Sequence, residues 1–171
     1  TSVLTSPRFP VRGRLVPRLR IDEKTIRPAP RGRLTAHCQI ERNVAMLQLH
    51  PGIAPAFLRR VLRAKGLRGV VLLTFGAGNA PTSPAIRRAL AEAAAKGIAI
   101  VNVTQCYGGR VDMSIYDTGA QLRALGLVDG GDMTPEAAIA KLQVVLGMTS
   151  DMDEIRRLMQ TDWAGERTQI S

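Results

Sequence analysis

The chain has 171 residues, 45% hydrophobic and 22% charged, with a mean hydropathy near zero; this excludes disorder throughout and describes one water-soluble domain, or a small domain with appendages. Only 4% is aromatic and just two residues are cysteine, so burial must rest on Ala, Leu, Ile and Val, and a disulfide scaffold is excluded. The net charge of +10 is lopsided, because +7 of it falls within residues 1–33.

That first stretch holds nine basic side chains (Arg8, Arg12, Arg14, Arg18, Arg20, Lys24, Arg27, Arg31, Arg33) against Asp22 and Glu23. Pro7, Pro10, Pro17, Pro28 and Pro30 forbid helix interiors and central strands there. Phe9 is its only aromatic residue. Single-strand binders add stacking platforms to charge, so the stretch reads as a solvated or partner-facing segment and not as a nucleic-acid site. Arg8, Pro10, Arg12 and Arg14 also interrupt any apolar run of a secretory signal.

From Leu34 the character changes. Leu34 to Cys38 and Asn43 to Leu49 read as extended segments, with a compact domain beginning near Asn43. Ala54 to Lys65 has a helical period through Phe57, Leu58, Val61 and Leu62, with Gly66 as a C-cap. Gly69 to Phe75 is a buried strand. Pro84 to Lys96 is an Ala-rich helix behind Ser83 as N-cap, ended by Gly97, and Ile98 to Val103 is again a strand. Helices then follow at Thr118 to Leu125, at Pro135 to Leu146 behind the cap Thr134, and at Asp151 to Gln160. The alternation predicts an α/β domain of three layers, a small parallel βαβαβ sheet flanked by helices. No apolar run approaches the about 18 residues of a membrane span. Cys38 and Cys106 lack Cys-x-x-Cys spacing, which suits a reducing compartment and offers no zinc site.

In such a sheet ligands gather outside the carboxyl ends of the strands. After Phe75 comes Gly76-Ala77-Gly78-Asn79-Ala80-Pro81, a loosened turn into a helix start, without the third glycine of a dinucleotide fingerprint or the lysine of a P-loop. After Val103 comes Thr104-Gln105-Cys106-Tyr107-Gly108-Gly109-Arg110, then Val111 to Gly119. Cys106 reads as a half-buried structural thiol, since no histidine lies nearby in sequence to activate it. His37 and His50 read as structural too. Asp112 and Asp117 are candidate acid-base groups whose default is a solvated carboxylate.

These two loops, together with Asp117-Thr118-Gly119, Gly131-Asp132-Met133-Thr134-Pro135-Glu136-Ala137-Ala138 and Lys141-Leu142, resemble the C-terminal domain of bacterial-type L-asparaginases, nearest the cytosolic type I branch. His50-Pro51-Gly52-Ile53, Thr5-Ser6-Pro7 and Gly165-Glu166 fit the same likeness. It implies a Rossmann-like domain over 43–171, with 1–42 as the basic end of a missing N-terminal domain plus a linker. The family's two catalytic threonines, in a Thr-Gly-Gly-Thr turn and a Thr-Asp pair backed by lysine, do not occur here. Thr161-Asp162 and Thr118-Gly119-Ala120 do not stand in for them. The expectation is therefore a fragment or one chain of a split enzyme, with no catalytic residue of its own.

The resemblance further implies hydrolysis of L-asparagine to L-aspartate and ammonia without cofactor or metal, in a cytoplasmic homodimer or homotetramer whose C-terminal domains complete neighbouring active sites. Asn79, with Gly78, matches the position that contacts the substrate's amino-acid end, and Asp112 and Tyr116 are candidates for a second contact. Thr104 and Cys106 match an effector pocket of some type I members, although Leu73 stands where those members carry an arginine. Two other readings are an amino-acid-binding module without chemistry, and the asparaginase-like subunit of a tRNA-dependent amidotransferase.

Overall fold

The computed structural model describes residues 13–16, 18–21, 23, 26–29, 31–81 and 83–168. Thr5-Ser6-Pro7, together with Arg8, Arg12 and Lys24 of the basic segment, lies outside the described residues. The chain divides into two compact units, Thr1–Ala36 and His37–Ser171.

The first unit contains a feature that proline density had hidden. β1 (Gly13–Val16) and β2 (Arg18–Ile21) pair antiparallel, Gly13 opposite Ile21 and Val16 opposite Arg18. A two-stranded ribbon has only edges, so it coexists with a proline-rich sequence that no central strand would tolerate. Leu34 to Cys38, expected to be extended, forms no strand.

The second unit is built on four parallel strands, β3 (Val44–Gln48), β4 (Gly69–Thr74), β5 (Ala99–Thr104) and β6 (Val128–Asp129), whose order across the sheet is their order in the chain. β4 and β5 are buried at every position because both faces are covered, which explains their unbroken apolar sequences. β6 is a fourth strand unforeseen in the sequence, pairing Val128 with Val101 and Asp129 with Asn102; two residues are too few to show any periodicity.

Between consecutive strands run α1 (Pro55–Leu62), α2 (Pro84–Ala95) and α3 (Asp117–Ala124). Parallel crossovers are right-handed, and strands added in one direction put all three helices on the same face. There Leu58, Leu62, Ile86, Leu90 and Leu122 pack with Leu47, Leu49, Val70, Leu72 and Ile100. The opposite face is covered by α4 (Pro135–Met148) and α5 (Met152–Gln160), whose Leu142, Val145, Leu146, Ile155 and Met159 pack with Val71, Leu73, Val101 and Val103. Each fully buried leucine there contributes about 1.5–3 kcal/mol. Gly69 lets α4 come close, since a Cβ at that position would lie 2.7 Å from Leu146 Cδ1.

The residues just before β3 join this unit as well, Glu41 N donating to Gln143 O at 3.0 Å. Thr134 caps α4 through the Ala137 N–H, and Asp151 caps α5 through those of Asp153 and Glu154. Ser83 stands at the N-cap of α2, but its side chain makes no capping bond; Pro84, in the first turn, sets the helix start there.

Beyond α5 the chain folds back over α4. Lys141, buried in the middle of that helix, donates to the Thr161 carbonyl and, at 2.5 Å, to Glu166 Oε1, with the Trp163 ring centroid 4.9 Å from its Nζ. Burial pushes the Glu166 carboxyl up, but the Lys141 ammonium and the Ala164 and Trp163 N–H groups outweigh it and hold the group down at about 2. A carboxyl so depressed in the fold contributes stability that is present above its unfolded value, near 4.5, and is lost as pH falls toward about 2. Glu166→Gln should therefore lower the urea midpoint near neutral pH and flatten its decline below about pH 5; unfolding curves of both proteins across that range check this.

Candidate functional site

The site begins with two hydrogen-bonded polar side chains inside the largely apolar sheet. Thr74 and Asn102 are fully buried on neighbouring strands. Thr74 Oγ1 donates to Asn102 Oδ1 at 2.7 Å, and Asn102 Nδ2 donates to the Gly78 carbonyl at 3.1 Å. Buried amides must be paired, so Asn102 fastens the loop after β4 to the interior of β5. Gly78 has φ +108°, and a Cβ there would lie 2.8 Å from Val111 Cγ1 and 3.1 Å from Asn102 Nδ2. Both the backbone conformation and the lack of room require glycine.

The loop closes on itself through Phe75 N to Asn79 O and Asn79 N to Phe75 O, each 2.8 Å. Asp112 N donates to Ala77 O at 2.9 Å, drawing in the segment before α3. Asn79 emerges half-buried at the rim, its Oδ1 accepting from Thr118 Oγ1 at 2.5 Å. Its Nδ2 makes no hydrogen bond among the described residues, so the amide offers donors to an acceptor outside this chain.

Gly78, Asn79 and Asp112 are thus brought together, and Tyr116, 54% exposed, stands at the N-cap of α3 two residues before Thr118. The Asp112 carboxylate accepts from Ser114 Oγ and Ser114 N, and these bonds, the side-chain one foremost, hold its pKa down. It stays ionised near neutrality, which suits electrostatic recognition better than general-acid work. Asp117 lies exposed in the first turn of α3.

Thr104 and Cys106 occupy the neighbouring loop. Thr104 is buried and its Oγ1 accepts the Cys106 N–H at 3.0 Å. Cys106 is exposed, not half-buried as the sequence suggested: a tight turn returns Gly109 N to Cys106 O at 3.1 Å and lifts the thiol outward. His37 and His50 are exposed too. Gln105 was not foreseen as a site residue. Its Nε2 donates to Leu49 O and Leu73 O while its Oε1 accepts from Gln48, so it pins the ends of β3 and β4 together. Asn102 and Thr118 were also missed, though a lone asparagine within Ala99-Ile100-Val101-Asn102-Val103 was a visible signal.

Because spatial and chain order coincide, no reversal of strand order opens a crevice between these strands. Their loops form a firm rim, with exposed Tyr107, Ile115 and Tyr116, on a doubly covered parallel sheet. Among the described residues, no three His, Cys, Asp or Glu side chains are grouped to hold a metal, and no helix is long and apolar enough to cross a membrane.

Fold and rim define an α/β domain with a doubly covered parallel sheet and Asn79 held at its edge. Residues 43–159 match the Glutaminase/Asparaginase C-terminal domain, and the chain belongs to that family. It is 37% identical over 143 residues to L-asparaginase 1 of Escherichia coli K12, covering 82% of this chain and 42% of that one. It is 39% identical over 165 residues to the 60 kDa lysophospholipase of Mus musculus, covering 95% and 29%. The crystal structure of L-asparaginase I from Vibrio cholerae superposes with a TM-score of 0.87 at 32% identity, covering 96% of this chain and 50% of that one. The chain thus spans less than half the length of these curated relatives.

Removing the Thr74 hydroxyl would leave the buried Asn102 oxygen without its donor, at a cost of about 1–3 kcal/mol. Thr74→Val should lower the denaturant midpoint accordingly, whereas Thr118→Val, at the half-buried rim, should lower it far less; equilibrium urea unfolding of the two variants checks the contrast.

Proposed function

We propose that this chain serves as the substrate-completing, oligomer-forming part of an L-asparaginase, with the reacting threonines supplied by an N-terminal domain outside this sequence. In that reaction a threonine hydroxyl attacks the side-chain amide carbon, ammonia leaves, and water hydrolyses the acyl-enzyme. The observation that carries the reading is the Asn79 amide. Thr118 occupies its oxygen, so its Nδ2 hydrogens face outward from a loop tied into the sheet. Two donors on a fixed carboxamide suit the α-carboxylate of an amino acid.

A rim without its own crevice needs another body to close over the ligand, and exposed Tyr107, Ile115 and Tyr116 would lie against that body. The Asp112 carboxylate then suits the substrate's ammonium. The cytoplasmic setting, the dimer or tetramer, and the division into a linker over 1–42 and an α/β domain over 43–171 belong to the same proposal. So does the effector role for Thr104 and Cys106.

The test is a chimera in which this chain replaces the matched C-terminal segment of Escherichia coli L-asparaginase 1. The chimera should release ammonia from L-asparagine, and this chain by itself should not. Asn79→Ala should raise the chimera's KM about tenfold or more with kcat little changed, the loss of a hydrogen bond to a charged group. Turnover by the chain alone would place the nucleophile within these residues, and an unchanged KM would remove Asn79 from the site. If Thr104 and Cys106 bind an effector, velocity should depend sigmoidally on L-asparagine and Cys106→Ala should make it hyperbolic; steady-state kinetics over a wide substrate range decide this.

A further inference from the structure

At the β6 edge of the sheet lies a cavity of about 450 Å3, within the range of small-molecule sites. Met113 and Leu127 are buried apolar lining, and around them stand Arg123 from the last turn of α3, Asp129 of β6, Arg156 of α5 and Arg167 of the C-terminal stretch. Three guanidinium groups from three separate elements thus converge on one space.

Arg167 is the most telling of them. Its side chain is only 10% exposed. Among the described residues its hydrogen bond runs from Nη1 to the Asp129 carbonyl at 2.6 Å. Asp129 Oδ1 lies 3.8 Å from Nη2, beyond hydrogen-bond reach, and takes the Gly131 N–H at 2.6 Å. A guanidinium carries five donors, so most of those on Arg167 are unmatched among the described residues. Gly131 leaves room for the group, since a Cβ there would stand 2.9 Å from the guanidinium carbon. Burial pulls the Arg167 pKa down and Arg110 adds to the effect, while Asp129, Asp132 and Glu166 oppose it.

The other two arginines lie nearer solvent, Arg123 acting electrostatically on Asp112. Arg123 makes no hydrogen bond or ion pair among the described residues. Arg156 holds Asp153 at 2.7 Å across a solvent-exposed pair, which water and competing anions readily exchange. Of the two carboxylates on the wall, Asp112 is already satisfied by Ser114. Hydrogen bonds from the neutral Ser114 leave the Asp112 charge in place, so three arginines face two carboxylates on the wall, an excess of one positive charge.

We infer that this cavity binds a small dianion, a phosphate monoester or a dicarboxylate, held by the forked donors of Arg123, Arg156 and Arg167 above an apolar floor. Planar guanidinium groups match the paired oxygens of both ligand classes. The cavity shares Asp112 with the Asn79 rim, but its anion-binding donors come from arginines that the asparaginase reading does not use, so the dianion test does not depend on that reading.

Calorimetric titration of the full chain with inorganic phosphate and with succinate, at constant ionic strength, tests it, with chloride and acetate as monoanion controls. At least one of the two dianions should bind saturably with one-to-one stoichiometry, and which one does so identifies the source of the oxyanions. Arg123→Gln and Arg156→Gln, which leave the buried Arg167 in place, should each weaken binding at least tenfold with little change in the urea midpoint. The inference is overturned if neither dianion binds more tightly than acetate, or if both variants bind like the parent. It is equally overturned if a hexaglutamate peptide binds more tightly than either dianion and displaces it, since the arginines would then form a peptide-docking surface.

Discussion

One buried carboxamide sets the geometry of the functional face. Asn102 lies in the middle of a strand covered on both sides, where an unpaired amide costs several kcal/mol. It escapes that penalty only while Thr74 donates to its oxygen and Gly78 accepts from its nitrogen. The loop after β4 is therefore bound to the core by the same bonds that make the core tolerable. Gly78 fits this arrangement without a side chain, Asp112 joins it through Ala77, and Asn79 is delivered to the rim with its oxygen already engaged. Gln105 repeats the device one strand over, its amide spanning two backbone carbonyls at the ends of β3 and β4. Side-chain amides fix the described loops at this edge.

The sequence disclosed the elements whose physics is local. Continuous apolar runs marked β4 and β5, and Thr134 before Pro135 marked the start of α4. Three features escaped for physical reasons. β6 is two residues long, so its existence depends on Val101 and Asn102 offering it an edge. The β1–β2 ribbon was masked by prolines that an edge pair tolerates. Ser83 had the composition of a cap but not the bond. Asn79 became a candidate through the resemblance of its surrounding motif, because glycine spacing alone fits any tight turn. The arginine-lined cavity was beyond sequence reasoning altogether, since Arg123, Arg156 and Arg167 meet only after α3, α5 and the C-terminal stretch have packed around β6.

The C-terminal stretch shows how charge can be spent on architecture. Lys141 is buried within an apolar helix, and its ammonium is satisfied by a carbonyl, a carboxylate and an indole face contributed by residues 161–166. Breaking one member of such a group leaves the other charged and buried, which makes the segment beyond α5 integral to the domain. Arg167 follows directly and is carried to Asp129 by the same fold-back, while Thr168 N reaches Asp132.

Strand order has a further consequence for how the domain forms on a ribosome. Because β3 to β6 are laid down side by side with every crossover on one face, the sheet and its first helical layer are complete once about residue 129 has emerged. The other face, with Val71, Leu73, Val101 and Val103, has no cover until α4 and α5 are made. A nascent chain thus presents a finished half-domain with a bare apolar wall, a state prone to sticking to other chains. Its protection rests on one contiguous segment of sequence that arrives only after the sheet.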